Sequence, residues 1–349
     1  MRLGSDNSIL YSQLAGVNGS SVPTAGSTEI VQILFWTHIF KGEIVDEIQG
    51  QSPLPSWCHM SFDRNLSPTA HAIIFHVPWR EVKATDLPKS RITGQVWVFF
   101  TLESPAYMYF NMKEWDAFSF NRTLTYRLDS DYPSPYGVFT KRTRFLDSCN
   151  IPPNKTKPIA WMVSNCSPPS KRNLLAAQLA KHLPIDIYGD CGKLKCKKEE
   201  RLACYESLGQ QYKFYLSFEN SLCTDYVTEK FFNALYYGMV PIAFGGANYS
   251  NLAPEGSFID ARQFSSVSQL ATYLKRLLAN ETEYERFFEW RKHYTLKVRQ
   301  RYAGFKKMCL AIRDKSDLSR SFTYTNMKEW WTSDKCTSGD KALKQLKLD

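Results

Sequence analysis

The stretch that decides the fold spans residues 212–246 and reads YKFYLSFENSLCTDYVTEKFFNALYYGMVPIAFGG. Apolar side chains alternate with others in the β-rich run 214–218, which predicts a strand. A second apolar run follows at 239–244, and a helical pattern of polar and apolar side chains separates the two runs. The unit is therefore predicted to be strand–helix–strand, with the two strands parallel.

The helix of this unit is predicted to have two different faces. Thr224 or Asp225 can cap its start, and Gly238 can end it because glycine readily adopts a positive φ. Helical spacing places four polar side chains on one stripe, namely Tyr226, Glu229, Lys230 and Asn233. Glu219 and Asn220 end the preceding strand where this stripe begins. Since open parallel sheets bind ligands at the carboxyl ends of their strands, a ligand site is expected here, and the alternative is an ordinary helix with solvated charges.

The length and composition of the chain allow two folded domains. At 349 residues, with 43% hydrophobic and 14% aromatic side chains, the chain can bury sizeable cores, which excludes global disorder. The formal net charge is +10, and residues 291–349 carry +9 of it, from 15 Lys and Arg against 6 Asp and Glu. A basic tail can bind nucleic acid or an anionic membrane, but we favour the more common role of a solvated helical face.

The nine cysteines favour an oxidising compartment. The chain also contains seven acceptor sequences for N-glycosylation, which begin at Asn18, Asn65, Asn121, Asn154, Asn165, Asn248 and Asn280. Together these features predict passage through the secretory pathway. A zinc site at Cys191, Cys196 and Cys204 is the competing interpretation, but their spacing offers neither two close cysteine pairs nor partner histidines.

Three motifs in the opening stretch resemble the α-1,3-fucosyltransferases. They are FENS at 218–221, DYVTEK at 225–230 and VPI at 240–242. In that family these motifs line the GDP-fucose site, and the resemblance implies a GT-B fold, in which two Rossmann-like α/β domains face a central cleft. Family members are type II membrane proteins of the Golgi, so the resemblance also implies a Golgi lumen location. No apolar run in the sequence approaches the ~20 residues of the membrane anchor that this expectation includes.

Strands that alternate with helical patterns predict the α/β class with parallel sheets, composition marks the stem and the linker, and the resemblance assigns the two domains. The assigned segments are a flexible stem remnant at 1–28, an acceptor-side α/β domain at 29–150, a linker at 151–158, a GDP-fucose-binding Rossmann-like domain at 159–310 and a basic C-terminal segment at 311–349.

The resemblance implies a donor site that needs no metal ion or other cofactor. The positions around GDP-fucose correspond here to Ser164, Arg172, Glu219, Asn220, Tyr226, Glu229 and Lys230. Arg172 and Lys230 match basic positions that contact the phosphates, which suits a leaving group that gains negative charge. From the residues alone, a solvated position at a helix start is the preferred interpretation of Arg172.

Glu103 is the candidate general base. It follows the apolar strand-like run 95–100, and its segment TLESP looks like the family segment that carries the catalytic carboxylate. Inverting fucosyl transfer requires a base that takes the proton from the attacking acceptor hydroxyl. The alternative is a structural role, in which Glu103 caps a loop or pairs with Arg64.

Asp129 and Asp131 form an Asp-Ser-Asp triplet of the kind that holds Mn²⁺ in metal-dependent glycosyltransferases. The surrounding segment TYRLDSDYPSPYG at 125–137 resembles a fucosyltransferase segment of the acceptor half, with Leu128 where a second arginine is expected. We therefore interpret the triplet as structural.

Four side chains of the first half are candidates for the acceptor pocket, and each can equally be a core or loop residue. They are Asp63, Arg64, His76 and Trp79.

The sequence thus predicts an inverting, metal-independent α-1,3-fucosyltransferase that transfers fucose from GDP-fucose to the 3-OH of GlcNAc in glycoprotein glycans. The acceptor is the N-glycan core or an outer LacNAc or LacdiNAc unit, and no nucleic acid partner is expected. Two alternatives remain, namely a GT-B enzyme that uses another sugar nucleotide and a non-catalytic glycan-binding homologue.

Overall fold

A computed structural model gives the conformation of the chain over residues 30–37, 44–77, 84–108, 118–148, 155–197, 199–315 and 323–347. These residues form two compact units. The first unit contains the described residues from Ile30 to Pro135 together with the described part of Arg299–Lys335. The second unit contains Tyr136–Val298 and the chain from Cys336 onward.

The secondary structure alternates between strands and helices. The strands are β1 (Val31–Phe35), β2 (Cys58–Ser61), β3 (Ala72–His76), β4 (Val96–Thr101), β5 (Arg122–Thr125), β6 (Gly137–Lys141), β7 (Lys157–Met162), β8 (Ile185–Tyr188), β9 (Tyr212–Phe218), β10 (Leu222–Cys223), β11 (Val240–Phe244), β12 (Ile259–Asp260), β13 (Tyr294–Val298) and β14 (Cys336–Thr337). The α-helices are α1 (Ile44–Gln51), α2 (Arg172–Ala180), α3 (Arg201–Gln211), α4 (Glu229–Tyr236), α5 (Val267–Ala279), α6 (Glu281–Glu285), α7 (Ala303–Arg313), α8 (Met327–Thr332) and α9 (Gly339–Gln345). Short 3₁₀ turns lie at Arg64–Leu66, Ala84–Asp86, Pro105–Tyr107, Tyr249–Asn251, Ala261–Gln263 and Arg286–Lys292.

The first unit is built on a parallel sheet of five strands in the order β2-β1-β3-β4-β5. Its inner strands β3 and β4 are buried along their whole length, as expected for parallel strands covered on both faces. Helix α7 packs on this sheet, where the ring of Phe305 lies 5.8 Å from that of Phe35 and 5.1 Å from that of Phe100. A disulfide between Cys58 and Cys309 joins β2 to α7.

The second unit contains another parallel sheet of five strands, in the order β12-β11-β9-β7-β8. The register pairs Val240 with Phe214, which confirms that the two apolar runs of the opening stretch are parallel neighbours. Successive strand residues point to opposite faces, so Leu216 packs in the core with α2 and α5, and Tyr215 packs with α3 and α4.

Both sheets share the doubly wound strand order 2-1-3-4-5. In each unit the order reverses beside the first strand, between β1 and β3 in one and between β7 and β9 in the other. Two Rossmann-like α/β units with parallel sheets confirm the predicted fold class.

The boundaries of the units differ from those predicted. The sequence analysis placed a linker at 151–158 and the end of the second domain at residue 310. The second unit begins directly after Pro135 instead, because β6 pairs antiparallel with β13. Strand β7 begins at Lys157, inside the predicted linker. Residues 299–310 belong to the first unit, because α7 buries its apolar face on the first sheet.

The helix of the opening stretch begins later than predicted. Its N-cap is Thr228, and neither Thr224 nor Asp225 caps it. The residues before it form a turn instead, because Tyr226 N donates to the Cys223 carbonyl at 3.2 Å and Asp225 has a positive φ of 58°. The predicted end is confirmed, because Gly238 follows the helix with a φ of 81°.

Four disulfides link eight of the nine cysteines, and Cys149 lies outside the described residues. The three cysteines of the alternative zinc interpretation are all in disulfides, Cys166–Cys191 and Cys196–Cys204. Within the described ranges, the longest helices are too short and too polar to cross a membrane. The predicted stem at 1–28 lies outside those ranges.

Lys155 is an unusual buried cation of the second unit. Its Nζ donates a hydrogen bond to the carbonyl oxygen of Gly238, at the end of α4. Burial, together with the positive charges of Arg291 and Lys213, lowers the pKa of Lys155 from 10.5 to about 7, against the opposing effect of Glu281. The folded chain therefore binds this proton less tightly than the unfolded chain.

We expect the free energy of unfolding to rise with pH between about 7 and 10.5, because the unfolded chain keeps a proton there that folded Lys155 has lost. Lys155→Met should remove this contribution, which amounts to at most about 1.4 kcal/mol per pH unit. Denaturant unfolding of both proteins across this range measures the difference in slope, and identical slopes would contradict the prediction.

Candidate functional site

A pocket of about 690 Å³ opens where the second sheet reverses its strand order. Its walls come from the carboxyl ends of β7, β8 and β9 and from the first turns of α2, α3 and α4. The lining residues are Met162, Val163, Ser164, Asn165, Arg172, Gly189, Asp190, Lys195, Cys196, Lys197, Arg201, Tyr205, Asn220, Glu229 and Lys230. This is the place where doubly wound sheets bind ligands.

The pocket brings together five of the seven predicted donor-site residues, namely Ser164, Arg172, Asn220, Glu229 and Lys230. Glu219 and Tyr226 do not line it. Both side chains are buried, with Glu219 0% and Tyr226 2% exposed. Glu219 points inward because its carboxylate accepts hydrogen bonds from Thr228, at 2.8 Å from the backbone N and 2.9 Å from Oγ1.

Lys230 lies at the centre of a compact charged cluster. Its Nζ donates to Thr228 Oγ1 at 2.7 Å and lies 3.3 Å from Glu219 Oε2 and 3.4 Å from Glu229 Oε1. Burial alone would lower the pKa of Lys230, but the two carboxylates raise it above its ordinary value. Burial raises the pKa of Glu219, and Lys230 partly offsets this shift. The ammonium is therefore fixed in its charged form at the pocket wall.

Arg172 is the first residue of α2 and is only 2% exposed. Its guanidinium donates to the carbonyl oxygens of Phe218 at 2.5 Å and of Asn165 at 3.3 Å. It also lies 5.7 Å from the centre of the Trp161 ring. Arg172 thus ties the loop after β7 to the end of β9 and adds positive charge beside the pocket.

A loop after β8 supplies a wall of the pocket that the sequence analysis missed. Asp190, Lys195, Lys197, Arg201 and Tyr205 come from this loop and from the start of α3. With them the lining contains five cationic and two acidic side chains, which favours an anionic ligand. The signal in the sequence is the basic run KLKCKKEER between closely spaced cysteines.

Glu103 lies at the carboxyl end of β4, in the first unit. It is half-buried, and its backbone N donates to Thr101 Oγ1 at 3.2 Å. The 3₁₀ turn Pro105–Tyr107 follows. Arg64, its possible structural partner, instead makes a bidentate pair with Asp86, at 3.1 and 3.2 Å. The structure therefore places a carboxylate where ligand-binding residues lie in such sheets.

Three of the four candidate acceptor residues lie in the described part of the first unit. Asp63 caps the 3₁₀ turn Arg64–Leu66 by accepting from Asn65 N at 3.0 Å. Arg64 stacks on Trp36 at 4.4 Å from the ring centre. His76 is 2% exposed, and burial lowers its pKa to about 3, so it is neutral. Trp79, the fourth candidate, lies outside the described residues.

The Asp-Ser-Asp triplet makes structural contacts within the first unit. Asp129 pairs with Arg127, whose Nε lies 2.8 Å from Asp129 Oδ1. Asp131 Oδ2 accepts from Thr123 N at 2.8 Å and from the hydroxyl of Tyr324 at 3.0 Å. Among the described residues, no group of three or more His, Cys, Asp or Glu side chains is placed to hold a metal ion.

Comparison with known proteins gives consistent matches over both units. A family model described as glycosyltransferase family 10 (fucosyltransferase) C-term matches residues 152–330, and one described as fucosyltransferase, N-terminal matches residues 28–137. The chain is 36% identical over 321 residues to alpha-(1,3)-fucosyltransferase C of Drosophila melanogaster, which covers 85% of this chain and 74% of that protein. It is 34% identical over 307 residues to the Bos taurus protein named 4-galactosyl-N-acetylglucosaminide 3-alpha-L-fucosyltransferase 9, over 86% of this chain and 81% of that protein.

A solved structure shares the fold. The crystal structure of an α1,3-fucosyltransferase with GDP-fucose superposes with a TM-score of 0.58 at 17% sequence identity, over 90% of this chain and 98% of that one.

Proposed function

This chain belongs to the glycosyltransferase family 10 fucosyltransferases, and from that premise we propose that it transfers L-fucose from GDP-fucose to the 3-OH of a GlcNAc residue in glycoprotein glycans. The names of the relatives support the linkage, since those in Drosophila and cattle are named for α-(1,3) or 3-α-L-fucosyl transfer. The solved structure with the same fold is described with GDP-fucose, which supports the donor.

The observation that carries the proposal is the cationic pocket at the reversal point of the second sheet. It collects Arg172 and Lys230 beside Asn220 and Glu229, at the carboxyl edge where nucleotides bind in this topology. A diphosphate requires compensation of negative charge, and the excess of cations in the lining supplies it. Lys230, fixed in its charged form by Glu219, adds a positive charge at the pocket wall.

The proposed reaction is a single displacement with inversion at the sugar carbon. The acceptor O3 forms the new bond to C1 of fucose as the bond from C1 to the phosphate oxygen breaks, and GDP leaves with the electron pair. Glu103 accepts the proton of the O3 hydroxyl, which is general base catalysis. Arg172 and Lys230 are proposed to stabilise the charge that develops on the departing diphosphate.

The proposed reaction needs no metal ion. Full transfer activity is expected in excess EDTA, because protein cations rather than a divalent ion are proposed to neutralise the diphosphate. Initial rates with EDTA, and with Mn²⁺ added back, check this expectation. Loss of activity in EDTA that Mn²⁺ restores would contradict it and would point to metal binding at Asp129 or Asp131.

We propose the lumen of the Golgi as the place of action. Four disulfides within the described residues require an oxidising compartment for their formation, and the N-glycosylation acceptor sequences suit the same route.

One set of incubations decides the acceptor. Labelled GDP-fucose, and in parallel other labelled sugar nucleotides, are offered with N-glycan cores, with LacNAc and with LacdiNAc, and incorporation is measured together with product linkage. Transfer to O3 of GlcNAc in any of them supports the proposal. Transfer from another sugar nucleotide, or GDP-fucose binding without transfer to any acceptor, would favour one of the two alternatives.

A further inference from the structure

The loop after β8, residues 189–197, is a rigid part of the pocket wall, which we call the basic loop. It folds back on β8, where Gly189 N donates to the Leu194 carbonyl at 3.0 Å and Leu194 N donates to the Ile187 carbonyl at 3.2 Å. Gly189 has a φ of 94°, and a Cβ there would lie 2.6 Å from the carbonyl oxygen of Val163, so the turn requires glycine.

Two disulfides fix the ends of the basic loop. Cys191 is joined to Cys166, in the loop after β7. Cys196, which itself lines the pocket, is joined to Cys204 in the first turn of α3. Lys195 directly precedes Cys196, Arg201 begins the helix that holds Cys204, and both residues line the pocket.

The cations of the pocket differ in how far the protein already neutralises them. Lys230 is balanced by Glu219 and Glu229, as described above. Arg172 donates to two backbone carbonyls. Lys197 pairs with Glu200 at 3.6 Å.

Lys195 and Arg201 are the exceptions. Over the described ranges neither side chain makes a hydrogen bond or an ion pair within 4 Å. Lys195 is exposed and Arg201 is half-buried. Their N–H donors therefore remain available to a ligand in the pocket, although Lys230 and then Arg201 lower the pKa of Glu229 against the effect of burial.

We infer that Lys195 and Arg201 bind the diphosphate of the sugar nucleotide directly, and that the Cys196–Cys204 disulfide positions them for it. This inference rests on the proposed function. Lys230 and Arg172 keep the role proposed above, and the basic loop adds further charge-assisted hydrogen bonds to the diphosphate. The planar guanidinium of Arg201 suits bidentate contact with a phosphate, and Lys195 acts as a point charge.

The test compares the binding of GDP and of GMP, which differ by one phosphate, to the whole chain by calorimetry. Arg201→Gln should weaken GDP binding roughly 10-fold to 100-fold and Lys195→Gln roughly 3-fold to 10-fold, the range expected for lost charge-assisted contacts. GMP binding should fall less, so the ratio of the two affinities should also fall. Lys193→Gln is the matched control, because Lys193 is an exposed residue of the same loop that does not line the pocket.

A merely structural role for the two cations would weaken GDP and GMP binding equally, and this unchanged ratio would overturn the inference. So would GDP affinities of Arg201→Gln and Lys195→Gln that match the Lys193→Gln control. Arg201→Lys retains the charge and should recover part of the GDP affinity, which excludes misfolding as the cause. If the unaltered chain binds no GDP, the proposed function fails together with the inference, whereas tight GDP binding by all variants removes the inference alone.

Discussion

Glu103→Gln is expected to lower fucosyl transfer by roughly 10²–10⁴-fold, the usual contribution of a general base. Glutamine keeps the size of the side chain and much of its hydrogen bonding but cannot accept a proton at neutral pH. GDP affinity should remain nearly unchanged, because the proposed nucleotide pocket is built from the second unit alone. Transfer rates at saturating GDP-fucose measure the loss of activity, and calorimetry measures the affinity for GDP. A thermal melt close to that of the unaltered chain excludes misfolding as the cause.

A structural carboxylate of the same unit provides the matched control. Glu47 accepts from Arg301 Nη2 and from the Tyr302 hydroxyl, each at 2.7 Å. Glu47→Gln should lower the melting temperature and leave turnover per folded molecule intact. If Glu103→Gln shows this same pattern, Glu103 is a structural residue and the assignment of the base is wrong.

Lys230→Met is expected to reduce the free energy of unfolding by about 3–5 kcal/mol, the usual cost of removing one partner of a buried ion pair. The physical reason is that Glu219, which is 0% exposed, loses its nearest positive charge. Adding Glu219→Gln to Lys230→Met removes the buried negative charge that has lost its partner, so the double variant should regain much of the stability. Chemical denaturation of the three proteins measures these differences.

The stability that Lys230→Met loses should increase as the pH rises. Burial already raises the pKa of Glu219 above 4.5, and without Lys230 the pKa should rise further. A carboxyl whose pKa is higher in the folded chain stabilises the fold only while it is protonated, so the variant should lose stability as pH rises through that raised pKa. The variant should therefore lie closer to the unaltered chain at pH 5 than at pH 8.

A surface pair is the control for this prediction. Lys171 and Asp340 lie 2.5 Å apart with side chains that are 45% and 65% exposed, so Lys171→Met should cost no more than about 1 kcal/mol. A Lys230→Met protein as stable as Lys171→Met would show that the cluster around Glu219 does not depend on the lysine.

The parts of the fold that follow from local pattern could be predicted from the sequence. The alternation at 214–218 and the apolar run at 239–244 gave two parallel neighbouring strands, and Gly238 gave the end of α4. Glu219 and Asn220 gave the edge of the sheet at which the pocket lies. These features depend on contacts between residues close in the chain or on the general geometry of parallel sheets.

The parts that depend on distant contacts could not be predicted. The segment before α4 contains Cys223, which is bonded to Cys336, 113 residues away, and the N-cap of the helix is Thr228. The return of α7 to the first sheet depends on the packing of Phe305 and on the Cys58–Cys309 bond. Nothing in the local pattern of either segment specifies its distant partner.

At the candidate site, the sequence predicted the types of the residues but not whether their side chains are buried or face the pocket. The motifs that contain Glu219 and Tyr226 matched the family, but both side chains are buried and neither lines the pocket. Lys195 and Arg201 escaped notice because a basic run is usually a solvated surface, and only the folded chain shows that these two residues line a cavity.

The most direct test of the central claim is the structure of the product formed from GDP-fucose and a glycan that ends in GlcNAc. NMR of the purified product gives the position of the new bond and the configuration at C1 of fucose. The proposed function predicts fucose on O3 of GlcNAc, with the configuration at C1 inverted relative to the donor, and no product from the matched 3-deoxy-GlcNAc acceptor. Fucose on another oxygen, a retained configuration or equal transfer to the 3-deoxy acceptor would contradict it.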